Sequence, residues 1–180
     1  MIKGKISLLE MFGTRANIKW SNTSLGEEGS FQLDGQSLKI VLNEYDPIKL
    51  STGTSTGDIL EVGFSITVDG KEVIKKTNTD DSIKVFSVIF NGLIDKFKVV
   101  GFPKTLFFSA KKIGEGAEEH EKRASLKRAS LYKRLQDRIG RFGYDKIDTI
   151  ENSTGTQFIL TSIKLTKEEL EEVKTIVNKL

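Results

Sequence analysis

The densest chemistry in this sequence is a row of cations. Lys122, Arg123, Lys127, Arg128, Lys133, Arg134, Arg138 and Arg141 fall between positions 122 and 141, with Asp137 as the one acid among them. Eight cations against one acid make a local charge of +7, so the rest of the chain carries −4 of the total of +3. At about 100° per residue, Ala124, Leu131, Leu135, Ile139 and Phe142 share one side of a helix with Tyr132 at its edge, and the cations take the other side. Arg128 alone falls inside the apolar arc. It reads as a paired structural charge, because an unpaired buried one costs several kcal/mol. A row of this kind supplies salt-dependent affinity for phosphates without regard to sequence, or for an acidic protein surface. A solvated helix face that does no more than keep the chain soluble is the plain alternative. The absence of interleaved aromatics counts against base stacking. The binding set expected from this row is Arg123, Lys127, Lys133, Arg134, Arg138 and Arg141.

The other chemistry-bearing residues are sparse. His120 is the only histidine, set among Glu118, Glu119 and Glu121. One histidine in an acidic run lacks the further well-placed ligands of a metal site and decorates the start of a helix. The chain has no cysteine, which excludes disulfides and thiolate chemistry, and no nucleophile-elbow motif accompanies the histidine. The stretch STGTSTGD has the composition of a phosphate cradle, but it lacks the Gly-Lys-Ser/Thr ending and no apolar helix follows. With the preceding residues it reads as a mobile loop, DPIKLSTGTSTGD. Asp80 and Asp81 are adjacent acids at a helix start, where carboxylates cap orphan N–H groups and suit the positive end of the dipole. The residues themselves therefore specify no catalytic set, no metal and no cofactor.

The elements that must carry these residues follow from periodicity. Ile6, Leu8 and Met11 suggest an opening strand, and Ile18 and Trp20 a second short one. FQLDGQSLKIVL alternates apolar and polar residues around Asp34-Gly35, a strong signal for a hairpin whose turn needs positive φ. Phe64, Ile66 and Val68 lead to a second turn at Asp69-Gly70, with Val73 and Ile74 on the return strand. From Ser82 to Phe97 the period becomes helical, and KTLFFSA after Pro103 is a continuous apolar run suited to a strand covered on both faces. A strand, a helix and a strand in that order predict parallel pairing across a crossover. The basic helix spans about 117–142, and IDTIENSTGTQFILTSIKL predicts a closing hairpin that turns near Ser153, Thr154 and Gly155. The tail opens with a capping box, Thr166 and Glu169. Its stripe of Leu170, Val173, Ile176, Val177 and Leu180 either packs on the domain or makes a homo-oligomer. The expected class is α+β: one domain over 1–165 with a mixed, mostly antiparallel sheet, and a C-terminal amphipathic helix over 166–180. ISLLEMF is too short and too interrupted to span a membrane, so the expected setting is the cytoplasm.

This order of elements resembles the Gcn5-related N-acetyltransferase (GNAT) fold, and it is similar to a group of uncharacterised bacteriophage proteins with a GNAT-like layout. SFQLDGQSLKIVL, GFSITV, KVFSVIFNGLIDKF, LFFSA and Arg128 to Leu135 carry the resemblance. It implies a mixed sheet that splays open beside the first helix. In a working member, a glycine-containing loop at the start of that helix holds the acetyl-CoA pyrophosphate on its N–H groups, and a tyrosine, Tyr132 here, protonates the leaving thiolate. TNTDDS stands at the loop position with no glycine and two carboxylates, which oppose a pyrophosphate. The glycine-aromatic pair Gly143-Tyr144 comes several residues later than in the family pattern. The expectation is therefore a phage-type accessory protein that binds a protein partner, a virion component or nucleic acid without catalysis. The alternative is an acetyl-CoA-dependent N-acetyltransferase with an atypical cofactor loop.

Overall fold

The structure, a computed structural model, describes residues 13–68, 71–72, 79–111, 132–144, 146–152 and 155–180. Strands β1 (Lys19–Asn22), β2 (Gly26–Leu33), β3 (Gln36–Tyr45), β4 (Ile59–Val68) and the short β5 (Lys71–Glu72) precede helix α1 (Thr79–Val100). Strand β6 (Thr105–Lys111) follows, then helix α2 (132–139) with a 3-10 turn at Gly140–Phe142. Strands β7 (Lys146–Asn152) and β8 (Gly155–Thr161) and helix α3 (Lys167–Val177) complete the chain. The fold is α+β, an open and mostly antiparallel sheet in the order β1-β2-β3-β4-β6-β8-β7, with β5 paired to β4.

The first hairpin turns where its sequence requires. Asp34 and Gly35 take φ of 50° and 76°, and Leu33 pairs with Gln36 across the turn. The two-residue period then sends alternate side chains to opposite faces of the sheet. On one face Leu38, Ile40, Leu42, Leu60, Val62, Leu106, Phe108, Phe158 and Leu160 pack with α1 and α2 in one core cluster. On the other, Ile59, Phe107 and Ile159 pack with Leu50, Leu165, Val173 and Val177. The KTLFFSA strand is thus covered on both sides, and the apolar stripe of the tail helix lies on its own sheet, with Leu180 left exposed.

The crossover pairing is parallel, as the strand-helix-strand order predicts, but it is brief. β4 and β6 pair from Ile59↔Thr105 to Val62↔Phe108. Beyond that point β4 continues against β3 as far as Thr67, while β6 continues against β8 as far as Lys111. The two strands part company in the middle of the sheet.

Helix α1 is longer than its sequence period indicates, beginning at Thr79 and ending at Val100. Thr79, Asp80 and Asp81 therefore fall within its first turn. Asn91 and Gly92, poor helix formers, have distant reasons for being there. Asn91 Nδ2 and Ser87 Oγ both donate to the carbonyl of Thr14, each at 3.1 Å. Gly92 leaves room for Ile18, whose Cδ1 lies 2.1 Å from where a β-carbon at Gly92 would sit. Ile18 also presses on Gly29 of β2, 2.7 Å from the equivalent point there. Arg15 pairs with Asp95 on the same helix. Segment 14–18 is thus strapped across α1. Ile6, Leu8, Met11, Asp69-Gly70, Val73, Ile74, Ser153 and Thr154 lie outside the described residues.

The strap makes Gly92 testable. Alanine is about 1 kcal/mol better than glycine inside a helix, yet crowding a packed site costs about 1–3 kcal/mol. Gly92→Ala is expected to lower stability in chemical denaturation, and pairing it with Ile18→Ala is expected to recover the helix-propensity gain. A stabilising Gly92→Ala alone would contradict the strap.

Candidate functional site

The described part of the basic helix divides its side chains sharply. Tyr132, Leu135, Gln136 and Ile139 are buried against the sheet, while Lys133, Arg134 and Asp137 are exposed. Gln136 is tolerated inside because its amide donates to the Ile159 carbonyl at 3.2 Å and accepts from Lys133 Nζ at 3.1 Å. Lys133 also pairs with Asp137 at 3.5 Å. Arg138, expected on the open cationic face, is half-buried, with its guanidinium 5.1 Å from the centre of the Phe90 ring. That contact ties α2 to α1 by a cation–π interaction. Arg141 is exposed beyond the helix, where Gly143 ends the 3-10 turn with φ of 100°. Phe142 stacks on Phe102 at 5.5 Å. Of the six expected binding residues, Lys133, Arg134 and Arg141 are exposed and Arg138 is half-buried. Arg123, Lys127, Arg128, His120 and the start of the helix lie outside the described residues.

Tyr132 sits where β4 and β6 separate. Its ring lies 5.5 Å from Phe64 on β4, 5.6 Å edge-on to Phe86 of α1, 6.0 Å from Phe108 on β6 and 5.9 Å from Phe158 on β8. Only 3% of its surface is exposed. Four phenylalanines on four elements thus surround this one tyrosine ring.

The serine- and threonine-rich loop is neither a phosphate cradle nor loose. The hydroxyls of Ser51, Thr52 and Thr54 face the first turns of α3. Thr54 Oγ1 donates to Glu169 Oε1 at 2.6 Å, and Thr52 Oγ1 donates to the same oxygen. Ser51 donates twice to Glu172, from N–H at 2.9 Å and from Oγ at 2.7 Å. Glu169 is also the capping-box residue, accepting from the Thr166 N–H at 2.8 Å while Thr166 Oγ1 accepts from the Glu169 N–H at 3.2 Å. Hydrogen bonds from Thr52, then Thr54, then the Thr166 backbone hold its carboxyl down from 4.5 to about 2. The expectation of a mobile loop is corrected: two glutamates more than a hundred positions away fasten it.

A groove opens at the other end of α1, with a cavity volume of about 890 Å³. Its walls are the β1–β2 turn, the end of β3, the start of β4 and the last turn of α1. Glu27, Glu44, Asp46 and Asp58 line it, with Lys96 as the one cation among the lining residues. Lys96 is already engaged, 2.5 Å from Glu27 and 5.1 Å from the centre of the Trp20 ring. Tyr144, buried nearby, donates its hydroxyl to the Pro103 carbonyl at 2.8 Å. Burial, and then the charge of Asp58, push that phenol up. Sequence reasoning missed this groove because four separate segments build it. Its one signal was the −4 left over once the basic segment is set aside.

Among the described residues no group of three His, Cys, Asp or Glu stands together as a metal site, and no helix is long and apolar enough to cross a membrane. Compared with known proteins, the chain matches no family model, no curated protein and no solved structure.

The depressed Glu169 carboxyl sets a pH dependence. A carboxyl held lower in the folded chain than in the unfolded one stabilises the fold above the unfolded value, and that contribution is lost as pH falls through the folded value. The window here runs from 4.5 down to about 2. Wild type is expected to melt higher than Glu169→Gln at neutral pH, with the gap closing as pH falls through that window. A gap independent of pH would show that the carboxylate is not what holds the loop.

Proposed function

We propose that this chain is a non-catalytic accessory domain of the bacteriophage type with a degenerate GNAT-like layout, which acts by binding an anionic partner through the exposed side of its basic helix. The partner is an acidic protein surface, a virion component or nucleic acid, met in the host cytoplasm or in the virion. The observation that carries this reading is the setting of Tyr132. The layout would place an acyl donor where β4 and β6 diverge, and there the rings of Phe64, Phe108 and Phe158 each pack on Tyr132. Asp80 and Asp81 in the first turn of α1 add like charge where a pyrophosphate would sit. The exposed Arg134 and Arg141 remain available as partner-facing cations.

One observation favours the alternative, an acetyl-CoA-dependent N-acetyltransferase. The early end of β4–β6 pairing is what a splayed sheet of that kind requires. Calorimetric titration separates the two readings: no saturable heat with acetyl-CoA is expected, and micromolar binding would overturn the non-catalytic assignment.

The basic surface is tested with two polyanions, a DNA duplex and a polyglutamate peptide, at low salt. Arg134→Glu with Arg141→Glu is expected to weaken binding to at least one of them about tenfold or more, and added salt to weaken the wild type in the same direction. Unchanged affinity in the variant would sink the basic-helix reading. Tyr132→Phe is expected to leave this binding unchanged, whereas Tyr132→Ala should cost about 3–5 kcal/mol of stability, as removal of a buried aromatic does.

A further inference from the structure

We propose that the groove at the C-terminal end of α1 receives the basic helix of a second copy of this chain, so that copies associate head to tail. This rests on the basic helix being a binding surface and names its partner. Leu25 and Val100, two of the groove-lining residues, are 63% and 62% exposed. Large apolar side chains left so open beside a concave surface mark a place where another surface settles.

Charge decides which surface. Four acids against one cation give the lining a net charge of −3, and that cation is already held by Glu27. Glu44 and Asp46 are exposed, and the C-terminal end of α1 adds the negative end of a helix dipole to the same wall. The complement is a surface that offers cations on apolar stems. Lysine and arginine do this, since their methylene stems lie on apolar groups while the charged ends reach past them. The described end of the basic segment offers such a surface, with Arg134 and Arg141 exposed. The inward face of α2 is occupied by Tyr132, Leu135 and Ile139 in its own core, so only the cationic side is offered outward. None of the described cations of that segment lines the groove of its own chain, so the acidic and basic surfaces are two different patches on one molecule. A contact between unlike patches closes into a reciprocal pair where the geometry lets both contacts form at once, and otherwise repeats from copy to copy as a ring or an open string.

The test uses two variants of the full chain. One reverses the groove, Glu44→Lys with Asp46→Lys, and the other reverses the helix, Arg134→Glu with Arg141→Glu. In sedimentation velocity at about 20 mM salt, where the screening length is roughly 20 Å, wild type is expected to sediment as a mixture heavier than the monomer. It should return to monomer as salt rises. Each variant alone should be monomeric. An equimolar mixture should regain association, because one intact groove and one intact basic helix remain between the two variants. A wild type that stays monomeric at low salt overturns the proposal, as does a mixture that fails to associate while both variants keep the wild-type far-ultraviolet circular dichroism. Neither failure touches the basic-helix reading, which falls only if the helix-reversed variant also keeps full affinity for both polyanions.

Discussion

The structure depends on a parallel pairing that lasts four residue pairs. Ile59 to Val62 against Thr105 to Phe108 is the single seam that joins the antiparallel β1–β4 half of the sheet to the β6–β8 half. A seam so short supplies few ladder hydrogen bonds, so the halves are held mainly by what packs across them. On one face α1 and α2 do this through the aromatic cluster around Tyr132, and on the other α3 does it through Val173 and Val177. The side chains that bridge the seam are consequently the ones whose loss would separate the two halves.

Features whose cause is local were legible in the sequence. The Asp34-Gly35 turn and the Thr166–Glu169 capping box each satisfy a requirement set within a few residues, positive φ in one case and orphan N–H groups in the other. The crossover helix and the doubly covered β6 were readable for a related reason, since burial on one arc or on two faces leaves a period in the chain. Helix ends were less so: Val99 and Val100 are exposed, so the amphipathic period stops before the hydrogen bonding does.

What escaped is what distant partners determine. Asn91 and Gly92 look like weak points in a helix until Thr14 and Ile18 are laid across it. The threonine-rich loop looks free until Glu169 and Glu172 meet it. Arg138 looks like one more surface cation, but Phe90 draws it in. In the same way the acidic groove takes its four acids from three segments, none acidic enough alone to attract notice. Composition registered the charge, and the fold gathered it.

The fastening of the threonine-rich loop has a consequence for how the chain reaches its folded state. Ser51 and Glu172 are separated by 121 positions, so during synthesis the loop leaves the ribosome long before the helix that anchors it. Closing so long an interval is entropically unfavourable until many contacts form together. The helical face of the sheet contains α1 beside β3 and β4 and begins to assemble early. On the opposite face Leu50 packs with Ile59, Phe107 and Ile159, and Leu165, Val173 and Val177 join them only when α3 arrives. The two faces of one sheet are therefore completed at different times, the helical face once β8 supplies Phe158 and Leu160 and the other once α3 is laid down.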